Sequence, residues 1–116
     1  MAVRKAHLYI CKRRPMIMDI EKLRILCNNK RLIITQHCIK RMMERGIELT
    51  EIKQAIAKGE VIENYPDDYP YPSCLILGEG IHIVAGIGDD MLWLITAYRP
   101  GPDQWSDDLK TRRAKP

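Results

Sequence analysis

Residues 74–98 read CLILGEGIHIVAGIGDDMLWLITAY, and this stretch decides the predicted fold. It contains three apolar runs that are rich in β-branched and aromatic residues: 74–77, 81–87 and 91–98. Gly78-Glu79-Gly80 and Gly88-Asp89-Asp90 separate the runs. Short connections of Gly and Asp between such runs are typical of β-hairpins. The stretch therefore predicts three consecutive strands of an antiparallel meander.

Toward the N-terminus, residues 60–65 (EVIENY) predict a further strand, and the proline-rich segment PDDYPYP joins it to the meander as a loop. Apolar residues at helical spacing predict three helices, over residues 19–28, 36–45 and 51–58. Thr35 and Thr50 are the expected N-caps of the second and third helices, and residues 32–34 form a short extended run.

Helices that precede an antiparallel sheet indicate the α+β class. We expect N-terminal helices packed on one face of a four-stranded antiparallel sheet, with the other face free for a ligand. Beyond the sheet, residues 103–113 are expected to form a short helix that carries Trp105 and Leu109.

Charge is distributed unevenly along the 116 residues. Residues 1–14 carry five basic residues and 110–116 carry four, both without an acid, which leaves 10 basic and 15 acidic residues between them. We expect residues 1–17 to be a basic extension outside the fold, ordered or disordered, residues 18–113 to form a single domain, and 114–116 to be a tail. Basic ends can bind phosphate, although short basic tails are more often only solvated.

No apolar stretch is long enough to cross a membrane, and no apolar segment of the signal-peptide type follows the basic N-terminus. The chain is therefore expected to be cytoplasmic. Its four cysteines form no CxxC pair, which favours reduced thiols over a disulfide framework. No metal site and no cofactor are predicted, and no pattern determines an oligomeric state.

One candidate site lies on the second predicted helix, where His37, Arg41 and Arg45 stand four residues apart and form one polar ridge. A neutral imidazole can move a proton near pH 7, and two guanidiniums can hold a phosphate. The alternative is an ordinary solvated helix face on which Glu44 pairs with Lys40 or Arg41.

A second candidate site lies at the end of the last predicted strand, where Thr96 and Tyr98 point to the same face and Arg99 follows. Tyrosine can donate a proton or stack on a base, and threonine can bind phosphate. The alternative assigns these residues ordinary packing roles. His82 is expected to be a surface residue.

Several segments together resemble the bacterial domain-of-unknown-function family 4258. They are TQHCIKRMMERGI at 35–47, GEVIENYP at 59–66, PSCLILG at 72–78, IHIV at 81–84, ITAYRP at 95–100 and Trp105. Members usually have alanine after the histidine, where this chain has the similarly small and apolar Cys38. The family looks distantly similar to the barnase/RelE-like ribonucleases, many of which are toxins of toxin–antitoxin pairs, and this similarity is an analogy of fold.

That resemblance implies a metal-independent RNA endonuclease that cleaves by attack of the 2′-hydroxyl. Its catalytic residues would be His37, Arg41, Arg45, Thr96 and Tyr98, and its RNA-binding residues would be Lys40, Arg99, Arg112 and Arg113. The implied partners are RNA and a cognate antitoxin protein. The alternative is a non-catalytic module that binds protein or RNA, and the acidic body of the chain favours a protein partner for it.

Overall fold

A computed structural model describes residues 19–114 of the chain. This part contains three helices and five strands, in the order α1 (Ile20–Asn28), β1 (Leu32–Ile34), α2 (Gln36–Arg45), α3 (Leu49–Lys58), β2 (Glu60–Tyr65), β3 (Ser73–Gly78), β4 (Ile81–Gly88) and β5 (Met91–Tyr98). The predicted α+β class is confirmed. The predicted extension over residues 1–17 lies outside the described residues.

The sheet has five strands, in the spatial order β1-β5-β4-β3-β2. β1 runs parallel to β5, with Leu32 opposite Leu92 and Ile34 opposite Leu94, whereas the other neighbours are antiparallel. The predicted sheet of four antiparallel strands is therefore wrong, because β1 makes the sheet mixed. Three residues are too few to show the alternation that identifies a strand, and pairing with the distant β5 decides their conformation.

Local capping interactions determine where the helices begin and end. The Thr35 side chain accepts a hydrogen bond from the Cys38 amide at 3.1 Å, and Gly46 ends α2 with a φ of 64°. The predicted cap at Thr50 is wrong, because Glu48 and Glu51 form a capping box that starts α3 earlier.

All three helices pack on one face of the sheet, here called the inner face. Its fully buried side chains include Leu23 of α1, Cys38 of α2 and Ile52 of α3 against Ile83 and Leu94 of the sheet. The predicted packing of the helices on one face is thus observed.

The opposite face of the sheet is here called the outer face. Along β4, His82, Val84 and Gly86 alternate with the buried residues of the inner face, so their partners Tyr98, Thr96 and Trp93 also lie on the outer face.

The outer face is not free, contrary to expectation. Trp105, from the segment 101–113, is 1% exposed and contacts His82 edge-on, with the ring centroids 4.4 Å apart. The helix predicted over residues 103–113 is also wrong. Turns and a bridge between Trp105 and Arg112 replace it, because burial of the Trp105 ring and bonds such as Ser106 N–H to Thr111 C=O hold the segment as a loop.

Within residues 19–114, no helix combines the length and the apolar character that crossing a membrane requires. Cys27, Cys38 and Cys74 are free and buried. Burial raises the pKa of all three thiols, that of Cys74 to about 12, so they are protonated near neutral pH.

The packing of α3 on β3 leads to a prediction about stability. A Cβ at Gly78 would overlap the backbone of Ala55, whereas a Cβ at Gly101 would meet nothing within 4 Å. We expect Gly78→Ala to lower the free energy of unfolding by about 1–3 kcal/mol, as overpacking of a rigid contact does. Gly101→Ala is the matched control and should change it little. Urea denaturation of both variants measures the difference, and equal stability would contradict the close helix–strand contact.

Candidate functional site

A cleft of about 760 Å³ opens between the C-terminal end of α2, the end of β5 and the segment that follows β5. Its lining combines two guanidiniums, one aromatic ring, a carboxylate and an amide. The lining residues are Arg45, Tyr98, Arg99, Gly101, Asp103 and Gln104. The charged side chains of this lining sum to a net positive charge.

Arg45 is the last residue of α2, and the open edge of the sheet positions its side chain. β1 pairs with β5 only as far as Leu94, so the Ala97 carbonyl faces α2 and accepts a hydrogen bond from Arg45 Nη1 at 2.8 Å. The guanidinium carbon lies 6.0 Å from the centre of the Tyr98 ring. One guanidinium nitrogen thus anchors Arg45 to the sheet, and the remaining N–H groups are available to a ligand.

Arg99 forms the other cationic wall of the cleft. Its Nη2 lies 3.3 Å from Glu51 Oε1 and 3.5 Å from the Gly46 carbonyl oxygen, and about half of its side chain is exposed (49%). Ion pairs with this exposure and distance contribute little to stability. A phosphate can therefore compete for the Arg99 guanidinium at small energetic cost.

The buried His82 contacts the hydroxyl group of Tyr98 and holds its side chain in place. His82 is fully buried, so the expectation of a surface histidine is wrong. Its Nε2 lies 2.7 Å from the Leu109 carbonyl oxygen and its Nδ1 lies 3.1 Å from the Tyr98 hydroxyl. Because a carbonyl only accepts, we assign the imidazole proton to Nε2, and Nδ1 accepts the hydrogen bond that the Tyr98 hydroxyl donates.

This pair is electrically neutral. Burial lowers the pKa of His82 and raises the pKa of Tyr98, so neither the imidazolium nor the phenolate is favoured. The arrangement orients the Tyr98 ring, and it opposes a role for Tyr98 as a proton acceptor.

The other members of the predicted catalytic set lie outside the lining of this cleft. His37 is exposed in the first turn of α2, and its imidazole makes no hydrogen bond to any residue of 19–114. Arg41 forms an ion pair of 2.7 Å with Glu44, as the solvated-face alternative expects. Thr96 lies on the outer face opposite Val84, and Lys40 is exposed. The structure thus brings together Arg45, Tyr98 and Arg99.

Arg112 and Arg113 hold the C-terminal segment in place. Arg112 donates two hydrogen bonds to Glu63, of 2.9 and 3.0 Å, and its guanidinium carbon lies 4.6 Å from the Trp105 ring centre. These bonds hold the pKa of the Glu63 carboxyl below its usual range. Arg113 Nε donates to the carbonyls of Pro102 and Trp105. The role of both arginines in RNA binding stays a prediction.

Sequence reasoning did not find Asp103 and Gln104 as lining residues or Glu63 as the partner of Arg112. Trp105 does indicate that the C-terminal segment packs on the fold, because a single tryptophan in a polar tail is typical of such a segment. The pairing of Glu63 with Arg112 joins residues 49 positions apart, and no sequence spacing indicates it.

A family model described as Domain of unknown function (DUF4258) matches residues 34–99. That range covers more than half of the chain and contains Arg45, Tyr98 and Arg99 of the cleft. No match was found among the curated proteins or among the solved structures.

The burial of His82 leads to a prediction about pH. Its pKa is lower in the folded state than the unfolded value of about 6.5, so the unfolded chain binds a proton first as the pH falls. Stability due to neutral His82 is complete above pH 6.5 and is lost below it, with a slope of up to about 1.4 kcal/mol per pH unit until the folded-state pKa is reached. Urea denaturation between pH 7.5 and 5.5 measures this slope.

We expect His82→Gln to be less stable at pH 7.5 but to lack this slope. His37→Gln, which changes an exposed histidine, should keep it. If the slope persists unchanged in His82→Gln, the neutral buried imidazole is not its source.

Proposed function

The chain belongs to the family described as Domain of unknown function (DUF4258), as the sequence resemblance predicts. For this member we propose that it binds single-stranded RNA in the cleft of Arg45, Tyr98 and Arg99. The observation that carries this proposal is that two guanidiniums and an oriented aromatic ring line the same cleft. The resemblance to barnase/RelE-like ribonucleases stays a prediction.

The two guanidiniums support a phosphate ligand. Arginine presents N–H groups in a planar fork that matches phosphate oxygens, and such hydrogen bonds are stronger than neutral ones. Arg45 is fixed by the Ala97 carbonyl, so little side-chain freedom is lost when it binds. Arg99 has a weak carboxylate partner that a phosphate can replace.

Tyr98 supports a nucleic acid over a free phosphate ion. Its hydroxyl is used by His82, so the part of the side chain that can serve a ligand is the ring. A base stacked on an aromatic ring contributes about 1–3 kcal/mol to single-strand binding. Unpaired bases are common in RNA, which proteins usually recognise through loops and single strands.

Cleavage of the bound RNA is the second candidate function, and the α2 ridge favours it. His37 lies eight residues before Arg45, which corresponds to about 12 Å along the helix axis. A strand that binds at Arg45 can therefore pass Arg41 and reach the exposed imidazole of His37. In this mechanism His37 acts as the general base for attack of the 2′-hydroxyl on the adjacent phosphate. Arg41 would then stabilise the added negative charge. The bond between phosphorus and the 5′ oxygen would break, and this oxygen would take a proton from solvent, so that the products are a cyclic phosphate and a free 5′-hydroxyl.

For binding, we expect Arg99→Ala and Arg45→Lys to weaken the affinity for a mixed-sequence single-stranded RNA. The loss should be similar for all sequences, because phosphate contacts carry no sequence information. Removing the Arg99 charge should also make the plot of log K against log salt concentration less steep, by the amount that corresponds to about one phosphate contact. Fluorescence anisotropy with a labelled RNA at several salt concentrations measures both quantities.

Arg31→Ala is the matched control, because Arg31 is exposed and lies outside the lining of the cleft. An affinity that does not depend on salt, or that falls equally in Arg31→Ala, would contradict the phosphate-binding cleft. In that case a protein partner becomes the better assignment.

For cleavage, we expect incubation of the protein with RNA in EDTA to give fragments that end in cyclic phosphate. His37→Ala should abolish these fragments and Arg41→Ala should reduce them, and neither should remove binding at Arg45 and Arg99. Analysis of the fragment ends by mass spectrometry identifies the reaction. Cleavage that survives both substitutions rules out this mechanism.

If cleavage occurs, the toxin–antitoxin assignment can be tested in cells. Expression of the protein should arrest growth, and co-expression of a protein encoded by a neighbouring gene should relieve the arrest. His37→Ala should then no longer arrest growth.

A further inference from the structure

A second, smaller pocket lies at the opposite end of the outer face from the Arg45–Tyr98–Arg99 cleft. It has a volume of about 370 Å³, and most of its surface is apolar. Aromatic and aliphatic side chains from the loop between β2 and β3 and from β5 form it, together with one carboxylate. Its lining is Thr35, Asp68, Tyr69, Pro70, Tyr71, Gly86, Trp93 and Ile95.

Two of its aromatic rings are fixed by hydrogen bonds. The Tyr71 hydroxyl donates to Asp89 at 2.6 Å, and the Trp93 indole N–H donates to the Gly88 carbonyl at 2.9 Å. The two ring centroids lie 5.3 Å apart at an angle of 36°. Gly88 permits this arrangement, because a Cβ there would overlap the Tyr71 ring. The pocket thus has a rigid aromatic wall.

Tyr69 has a different environment from these rings, because it is 95% exposed. Its ring also lines the apolar pocket, so it has free surface beside it. A planar ligand that enters the pocket can cover the Tyr69 ring.

Asp68 supplies the polar contact. Its Oδ2 accepts a hydrogen bond from the Ser73 hydroxyl, and Ser73 is 1% exposed. Its Oδ1 accepts no hydrogen bond from any residue of 19–114. A carboxylate that a buried serine holds in place, beside apolar rings, is suited to a ligand that donates N–H groups.

We propose that this pocket binds an unstacked nucleobase, and that it prefers a base with N–H donors on its Watson–Crick edge. A nucleobase combines the planar ring that the aromatic wall needs with the donors that Asp68 needs. An aromatic side chain of a protein would fill the same space, but phenylalanine offers the carboxylate no donor, and tyrosine and tryptophan offer one each. Guanine carries two adjacent donors, N1–H and the 2-amino group, and fits best.

The inference rests on the proposed function and extends it to base selection. Trp93 and Tyr98 lie on the same face of the sheet, because a register shift opposite Val84 and Ala85 interrupts the alternation of β5 between them. They are five residues apart, which corresponds to about 16 Å along the strand. A single strand of a few nucleotides can therefore place phosphates between Arg45 and Arg99 and a base in the pocket.

Uncharged nucleosides test the pocket without involving the cleft. We would titrate the full chain, labelled with ¹⁵N, with guanosine, inosine, adenosine and uridine and follow the indole N–H signals. Guanosine should shift the Trp93 signal and leave that of the buried Trp105 unchanged. Inosine, which lacks the 2-amino group, should bind more weakly, and adenosine and uridine should bind more weakly still.

Asp68→Asn keeps an oxygen for Ser73 but replaces the free acceptor, so we expect guanosine affinity to fall by about tenfold. Tyr69→Ala should reduce it by about fivefold or more through lost stacking. Asp67→Asn is the matched control, since it removes the same charge one residue away. Unchanged thermal unfolding shows that the variants remain folded.

Arg99→Ala should leave guanosine binding unchanged, because Arg99 lies outside the pocket. The nucleoside titration therefore tests the pocket, and the salt dependence of RNA binding tests the cleft, independently of each other. The inference is overturned if no nucleoside shifts the Trp93 signal up to its solubility limit. It is also overturned if binding does not discriminate between bases or if Asp68→Asn and Asp67→Asn have equal effects.

Discussion

The open edge of β5 beyond the short strand β1 is the constraint on which the candidate sites depend. The pairing with β1 ends at Leu94, so the carbonyl oxygen of Ala97 further along β5 has no strand partner on that side. Thr35 donates to the Leu94 carbonyl through its amide and its hydroxyl, and Arg45 donates to Ala97. Helix α2 therefore lies along this edge with both of its ends attached, and Arg45 at its C-terminal end lies beside the Tyr98 ring of the outer face.

The two ends of the outer face are completed by irregular segments. The C-terminal segment buries Trp105 against His82, and its first residues, with Arg45 and Tyr98, form the cleft. The loop between β2 and β3 brings Asp68, Tyr69 and Tyr71 over Gly86 and forms the smaller pocket. The sheet is the rigid scaffold of both sites, and the loops contribute most of the side chains that can contact a ligand, as in many binding proteins.

Much of the fold could be predicted from the sequence, because its signals are local. The bounds of α2, β2 and β5 follow from apolar periodicity and from caps such as Thr35 and Gly46. The parallel pairing of β1 and the burial of His82 could not be predicted, because both depend on residues far away in the chain. For the site, the sequence singles out Arg45, Tyr98 and Arg99. It does not show that His37 lies apart from them, since helical spacing gives direction around an axis and not the position of the axis on the sheet.

The attachment of α2 to β5 also affects how the domain acquires its shape. Thr35 and Leu94 are separated by 59 positions, and α2 cannot be placed until the last strand exists. Contacts over such separations slow folding and make its steps interdependent. Neither the cleft nor the pocket can then form on a partly assembled chain. A ligand that binds at either place would therefore stabilise the native state of the whole domain, and not only the segment it touches, by a free energy that grows with the logarithm of its concentration.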